Sequence, residues 1–102
     1  MSEYPTDEQI AHIKAWPYED PTGWFAFIKT SGHWWPTEAW GWDERDDVDV
    51  IVKAVRVYEI STGGWSGNEE LIAAMRDNDM LWSLTWYQSR RGGHYTFMVR
   101  RR

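Results

Sequence analysis

Apolar residues recur along this chain at two periods, and each period predicts an element. Thr6-Asp7-Glu8-Gln9 has the Thr-x-x-Gln spacing of a capping box, with Pro5 ahead of it and Ile10 and Ile13 following at helical spacing. The pattern predicts a short helix over residues 7–15, closed by Pro17, which disfavours a helical Trp16. Tyr18 to Thr22 reads as a proline-bounded loop. Trp24 to Lys29 is apolar on both alternating sets, Trp24/Ala26/Ile28 and Phe25/Phe27, which predicts a strand covered on both faces. Ser31-Gly32 is a turn. Trp34 to Trp42 resists placement, since Pro36 makes its start an edge or a loop. Asp43 to Asp47 reads as a charged loop and Val50 to Ile60 as a long strand.

A glycine-rich loop follows, in which Ser66 and Glu69 have the spacing of a second capping box. Leu71, Ile72 and Met75 then form the buried stripe of a helix that stops near Asn78. Met80, Trp82, Leu84 and Trp86 alternate with Leu81, Ser83, Thr85 and Tyr87, which predicts a central strand with Trp82 and Leu84 inside. Ser89 to Gly93 is a hairpin loop, and Tyr95, Phe97 and Val99 belong to the return strand. The implied order is α-β-β-β-α-β-β. It describes an α+β fold, a mainly antiparallel sheet with two short helices, in a single domain over residues 1–102.

Composition sharpens this picture at three points. The 102 residues include 9 Trp, 5 Tyr and 3 Phe, and each buried aromatic hides roughly 150–250 Å². An indole N–H also needs a partner when it goes inside, so some indoles are expected at the surface as contacts, and a homo-oligomer is the corresponding expectation. The absence of Cys excludes disulfides, thiolate zinc sites and cysteine nucleophiles. With no basic start followed by an apolar run, and no apolar stretch near the roughly 20 residues of a membrane span, a soluble cytoplasmic protein is expected.

The net charge of −5 is unevenly spread. Residues 1–79 carry all sixteen acids and six of the eleven bases, and residues 80–102 carry the other five bases, all Arg, and no acid. Overall acidity argues against duplex nucleic acid as a partner, while the basic end keeps a local anion contact open.

Two blocks carry candidate chemistry. Ile60 to Glu70 runs strand, glycine loop, helix start, an arrangement that offers backbone N–H groups and a positive dipole end to an anion. It is not a P-loop, because no Lys follows the last Gly. Nor is it a nucleophile elbow, because Gly64-Trp65-Ser66-Gly67-Asn68 lacks the closing Gly. The structural alternative is that the glycines shape a turn and Ser66 caps the helix. The second block, Ser89-Arg90-Arg91-Gly92-Gly93-His94-Tyr95, puts two guanidinium forks beside a His, which suits carboxylate or phosphate. Its alternative is a solvated hairpin.

If the fold joins the blocks, an anion site forms from Gly64, Trp65, Ser66, Gly67, Arg90, Arg91 and His94. The pairs Trp34/Trp35 and Trp40/Trp42 could stack on a base or a sugar, or else fill the core. The acids of Asp43 to Asp49 do not match a calcium loop. His12, His33 and His94 lack metal-ligand spacing, so neither metal nor cofactor is expected.

The string Glu59-Ile60-Ser61-Thr62-Gly63-Gly64-Trp65-Ser66-Gly67-Asn68-Glu69, followed by Trp82, Trp86 and Ser89-Arg90-Arg91-Gly92-Gly93-His94-Tyr95, resembles a block found in small uncharacterised proteins of bacteriophages and prophages. The resemblance covers roughly residues 58–97 and brings no activity with it. It implies a phage accessory protein acting in the host cytoplasm.

These readings rank three functions. First is a non-catalytic binding protein for an anionic, nucleotide-like ligand, or one acting on a host factor. Second is a tryptophan-rich interaction or self-association module. Third is a small hydrolase or transferase using His94, because only a charge stabiliser is suggested and no placed acid–base pair.

Overall fold

The computed structural model describes residues 4–34, 41–49, 51 and 53–100. Four helices and four strands follow in the order α1 (Asp7–Ala15), α2 (Pro21–Ser31), β1 (Trp42–Val48), β2 (Ala54–Ser61), α3 (Ser66–Asp77), α4 (Asp79–Thr85), β3 (Trp86–Arg90) and β4 (His94–Arg100). The strands form one antiparallel sheet in the order β1-β2-β4-β3. The α+β class and the antiparallel sheet are as the sequence indicates, with two helices more than it indicates.

α1 starts as expected. Thr6 Oγ1 accepts from Gln9 N at 3.1 Å, and Gln9 Oε1 accepts from Thr6 N at 2.8 Å.

The stretch Trp24 to Lys29 is helix, not strand. Asp20 caps it by accepting from Gly23 N at 3.1 Å, and Pro21 sits in the first turn. The buried residues Trp24, Phe25, Ile28 and Ser31 then fall on one helical face. A short run apolar at every position fits either period, and the Asp-Pro start is the feature that decides it.

The alternating segment from Met80 is helical as well. Asn78 caps α4 by accepting from Leu81 N at 3.3 Å, so Leu81 and Thr85 turn inward while Met80 and Leu84 face solvent. The expected burial of Leu84 is therefore wrong: it is 59% exposed. Trp82 is partly buried against the core, and the strand begins only at Trp86.

The acidic run Asp43 to Asp47 is a strand, not a loop. Cross-strand partners override the poor β-propensity of Asp: Asp46 lies opposite Arg56, and Arg45 bonds Glu59, next along β2 to Glu44's partner Tyr58. An edge this charged also resists pairing with another chain. β2 is shorter than the expected strand from Val50. Asp49 to Lys53 forms a turn in which Asp49 Oδ1 accepts from the N–H of Ile51 and of Lys53. Val50, Val52 and residues 35–40 lie outside the described residues.

One face of the sheet carries the core. Trp42, Tyr58, Ile60, Phe97 and Val99 meet Ile13, Trp24, Phe25, Ile28, Leu71, Ile72, Met75 and Leu81 from the helices. Phe25 is central, stacked on Tyr58 at 4.1 Å between centroids and 11° between planes, with Trp24 and Phe97 at 5.2 and 5.3 Å. The indoles find partners here. Trp24 donates to Ile13 O at 3.0 Å, Trp34 to Ile28 O at 3.2 Å, and Trp42 to Glu44 at 3.3 Å. Trp34 and Trp42 pack edge to face at 5.3 Å, so this pair serves the core, while Trp35 and Trp40 lie outside the described residues.

Asn78 ties the helices together. Its amide donates to Ile13 O at 3.0 Å and to Trp16 O at 3.1 Å, at the closing turn of α1. Asn78→Ala removes a cap and strands two carbonyls, and should cost about 2–4 kcal/mol in urea unfolding. Leu84→Ala, at an exposed site, should stay within about 0.5 kcal/mol of the parent.

Candidate functional site

The two glycine-bearing blocks do meet. Ser61 pairs with His94 across β2 and β4, and Thr62 N donates to Gly93 O at 3.1 Å. The contact leaves no room for a side chain at Gly93: its φ is +77°, and a Cβ there would run into Thr62 Oγ1. Asn68, fully buried, fastens the loop from below by donating to Thr62 O at 3.2 Å and to His33 O at 2.8 Å, and by accepting from His33 N at 3.0 Å.

The expected site residues divide into three groups. Trp65 turns toward Tyr4 and His33, with ring centroids at 5.3 and 5.0 Å, and its indole lies so close over Gly67 that no Cβ fits there. Ser66 is not a cap. The N-cap of α3 is Trp65, without a side-chain hydrogen bond, and Ser66 Oγ meets the Tyr4 hydroxyl at 2.9 Å. Gly64 is exposed, with φ +78° and open space around its α-carbon.

His94 belongs to a different surface. Its Nδ1 is 2.6 Å from Ser61 Oγ, and Arg90 lies directly across from it on β3. Ser61, His94 and Arg90 thus form a row over three strands, on the sheet face away from the helices. The structure joins Arg90 to His94 but gives neither Arg90 nor Arg91 a side-chain hydrogen bond or ion pair with a described residue, Ser66 and Trp65 included.

The Ser61–His94 contact has the form of a nucleophile and a base. Among the described residues no carboxylate meets the other ring nitrogen, so the orienting third group is missing. It is a cross-strand tie. Among the described residues no group of three or more His, Asp or Glu could hold a metal ion.

A cleft of about 1280 Å³ opens at the other end of the sheet. Tyr18, Glu19, Pro21 and Thr22 form its helix-side wall, and Leu84 and Thr85 come from the end of α4. The sheet contributes Lys53, Arg56, Tyr58, Val99 and Arg100. Register brings Arg56 and Arg100 to the same end of the sheet but not to the same face: Arg56, opposite Val99, belongs to the helix-side set with Tyr58, whereas Arg100, opposite Val55, belongs to the alternate set with His94 and borders the cleft at the strand end.

The three cations are not equivalent. Arg56 is held by Asp46 at 3.0 Å and Glu44 at 3.3 Å. The Asp46 hydrogen bond, opposed by partial burial, leaves its pKa above the ordinary arginine value. Arg100 reaches only Asp49, at 3.9 Å, and Lys53 makes no ion pair with a described residue. Lys53 and Arg100 therefore have charge available to a ligand. Beneath them Tyr58 is 2% exposed, and desolvation raises its pKa above the usual phenol range.

Sequence reading missed this cleft because its cations stand 47 positions apart along the chain. Only strand register brings Lys53 and Arg100 together, and a lone Lys beside a strand carries no signal.

Comparison of the chain with protein-family models, with curated proteins and with solved structures finds no match. None of the three shows a resemblance of the 58–97 block to phage proteins. Within that block the glycines answer to packing, which two variants separate from anion binding. Gly93→Ala should lower stability by about 1–3 kcal/mol in chemical denaturation. Arg91→Ala should leave it within about 0.5 kcal/mol.

Proposed function

We propose that this chain is a non-catalytic binding protein for an organic anion, of the nucleotide-like kind expected from its sequence, and that the ligand sits in the cleft between the ends of β2 and β4 and the start of α2. The observation that carries the reading is the pairing of two cations of available charge, Lys53 and Arg100, with an apolar wall of Tyr18, Pro21, Leu84 and Val99 in one concave space. Ligand sites combine a largely apolar lining with a few placed polar groups in this manner. Taken with the resemblance to phage accessory proteins, the ligand would be a small molecule of the host cytoplasm. No helix among the described residues is long and apolar enough to cross a membrane.

The Ser61–His94 row supports catalysis less well, because among the described residues it lacks an orienting acid, and it is not part of the cleft. A second reading, self-association, is favoured by a specific clustering. Met80, Leu84, Trp86 and Tyr87 are four of the eight exposed large apolar side chains among the described residues, and they fall within eight consecutive positions leading into the edge strand β3. A run of this kind is where a partner surface is expected.

Titration of tryptophan fluorescence and melting temperature with a nucleotide panel tests the first reading. Lys53→Ala and Arg100→Ala should each weaken binding about tenfold, as loss of a charge-assisted contact does, and Arg91→Ala should not. The opposite ranking would return the site to the hairpin. For self-association, sedimentation at tens of micromolar, roughly where modest interfaces show themselves, should give a dimer that Trp86→Glu or Tyr87→Glu converts to monomer. A parent protein that is monomeric there removes the second reading.

A further inference from the structure

The helix-side wall of the cleft holds an acid where a pure anion receptor has no use for one. Glu19 lines the cleft beside Tyr18 and makes no ion pair with a described residue. Both side chains stand at the tip of a turn that is closed by Asp20 N donating to Pro17 O at 3.2 Å. The turn is braced twice more. The Trp16 indole N–H reaches Asp20 O at 3.0 Å and Asp20 Oδ2 at 3.3 Å, and the same Asp20 caps α2 through Gly23 N. Trp16 is itself packed on Phe27, with centroids at 5.3 Å. An exposed aromatic ring and an unpaired carboxylate are thus presented together on a rigid support. Lys53 and Arg100 border the cleft at the strand ends.

From this arrangement we infer that Glu19 sets specificity, and that the ligand is dipolar: an anionic group at Lys53 and Arg100, a flat ring against Tyr18 and Leu84, and hydrogen-bond donors on the far edge of that ring for Glu19. An ionised carboxylate only accepts hydrogen bonds, and it accepts two in parallel from donors set side by side. Among purine nucleotides the guanine edge presents such a pair, a ring N–H and an amino group. The adenine edge offers one amino group next to a ring nitrogen that only accepts, and the hypoxanthine edge keeps the ring N–H alone. A guanine nucleotide is therefore the ligand class. Trp16 acts as a positioning residue, through the turn.

This inference rests on the anion-binding reading of the cleft, and the experiment separates the two. Calorimetric titration of the full chain with GMP, IMP, AMP and inorganic phosphate is run on the parent and on Glu19→Gln, an isosteric change at an exposed site. The parent should bind GMP about tenfold more tightly than IMP or AMP, the scale of one charge-assisted hydrogen bond. Glu19→Gln should bring the three nucleotides to within about threefold of one another by weakening GMP alone. Equal affinity of the parent for the three overturns the role of Glu19 and leaves the cleft as a general anion site. So does a GMP preference that survives Glu19→Gln. If neither phosphate nor any nucleotide binds at millimolar concentration, the anion reading itself fails, and the inference with it.

Discussion

The stack of Phe25 on Tyr58 is the contact on which the rest of the arrangement depends. It sets a residue of α2 flat against the middle strand pair of the sheet, 4.1 Å between ring centroids. It also gathers Trp24, Trp42 and Phe97 around one hub. An offset aromatic pair adds only about 0.5–1.5 kcal/mol beyond the area it buries, so its importance is geometric more than energetic. With Phe25 seated, the start of α2 must lie beside the N-terminal part of β2, which carries Arg56 and Tyr58 and is preceded by Lys53. The cleft is the space left there because the helix begins at Pro21 and cannot extend backward across the strand ends. Tyr58, the sheet's half of the stack, both closes the core and lines the cleft.

Charge follows the sheet as strictly as the aromatics do. The acids of β1 are answered by two arginines: Glu44 and Asp46 hold Arg56 of β2, while Arg45 is held by Asp43 and Asp47 of its own strand and by Glu59 of β2. These are exposed pairs, each worth little alone, and their collective effect is to make a strand of a segment whose residues dislike strands. They also neutralise the body of the protein locally, so the acidic total does not mean that every surface repels anions. Arg90, Arg91 and Arg100 lie in the part of the chain without acids. The fold answers only Arg100 with a carboxylate, and at the outer limit of contact.

Local signals with one interpretation were legible in the sequence. The Thr6–Gln9 box, the stripe of Leu71, Ile72 and Met75, and the hairpin through Gly92 and Gly93 each stand where the pattern puts them. The failures share a physical cause. Trp24 to Lys29 and Met80 to Thr85 are short apolar runs that satisfy both periods, and in each the deciding residue lies ahead of the run, Asp20 by four positions and Asn78 by two, and acts through a side-chain cap. β1 failed for the opposite reason: its strand state is imposed by partners on β2, six to eighteen residues away. For the site, the pattern allowed the two loops to meet but did not fix which way Trp65 and Ser66 turn. That depends on Tyr4 and His33, distant in sequence.

The distribution of satisfied and unsatisfied polar groups gives the fold its functional direction. Among the described residues no buried side-chain nitrogen or oxygen lacks a partner, so the interior stores no strained polar group and asks for no ligand to complete it. The 60–70 block, the most distinctive part of the sequence, is where the most backbone and side-chain hydrogen bonds are spent on holding a loop. Thr62, Gly93, Asn68 and Ser61 are all engaged. Distinctive sequence there reflects a demanding piece of chain geometry. Lys53 and Glu19 have no such employment, and yet each is fixed in place by a braced turn, Asp49–Lys53 on one side and Pro17–Asp20 on the other. Each turn holds its backbone by hydrogen bonds that leave the charged side chain to solvent, and the ligand proposed for the cleft would meet a cation at one side and an acid at the other.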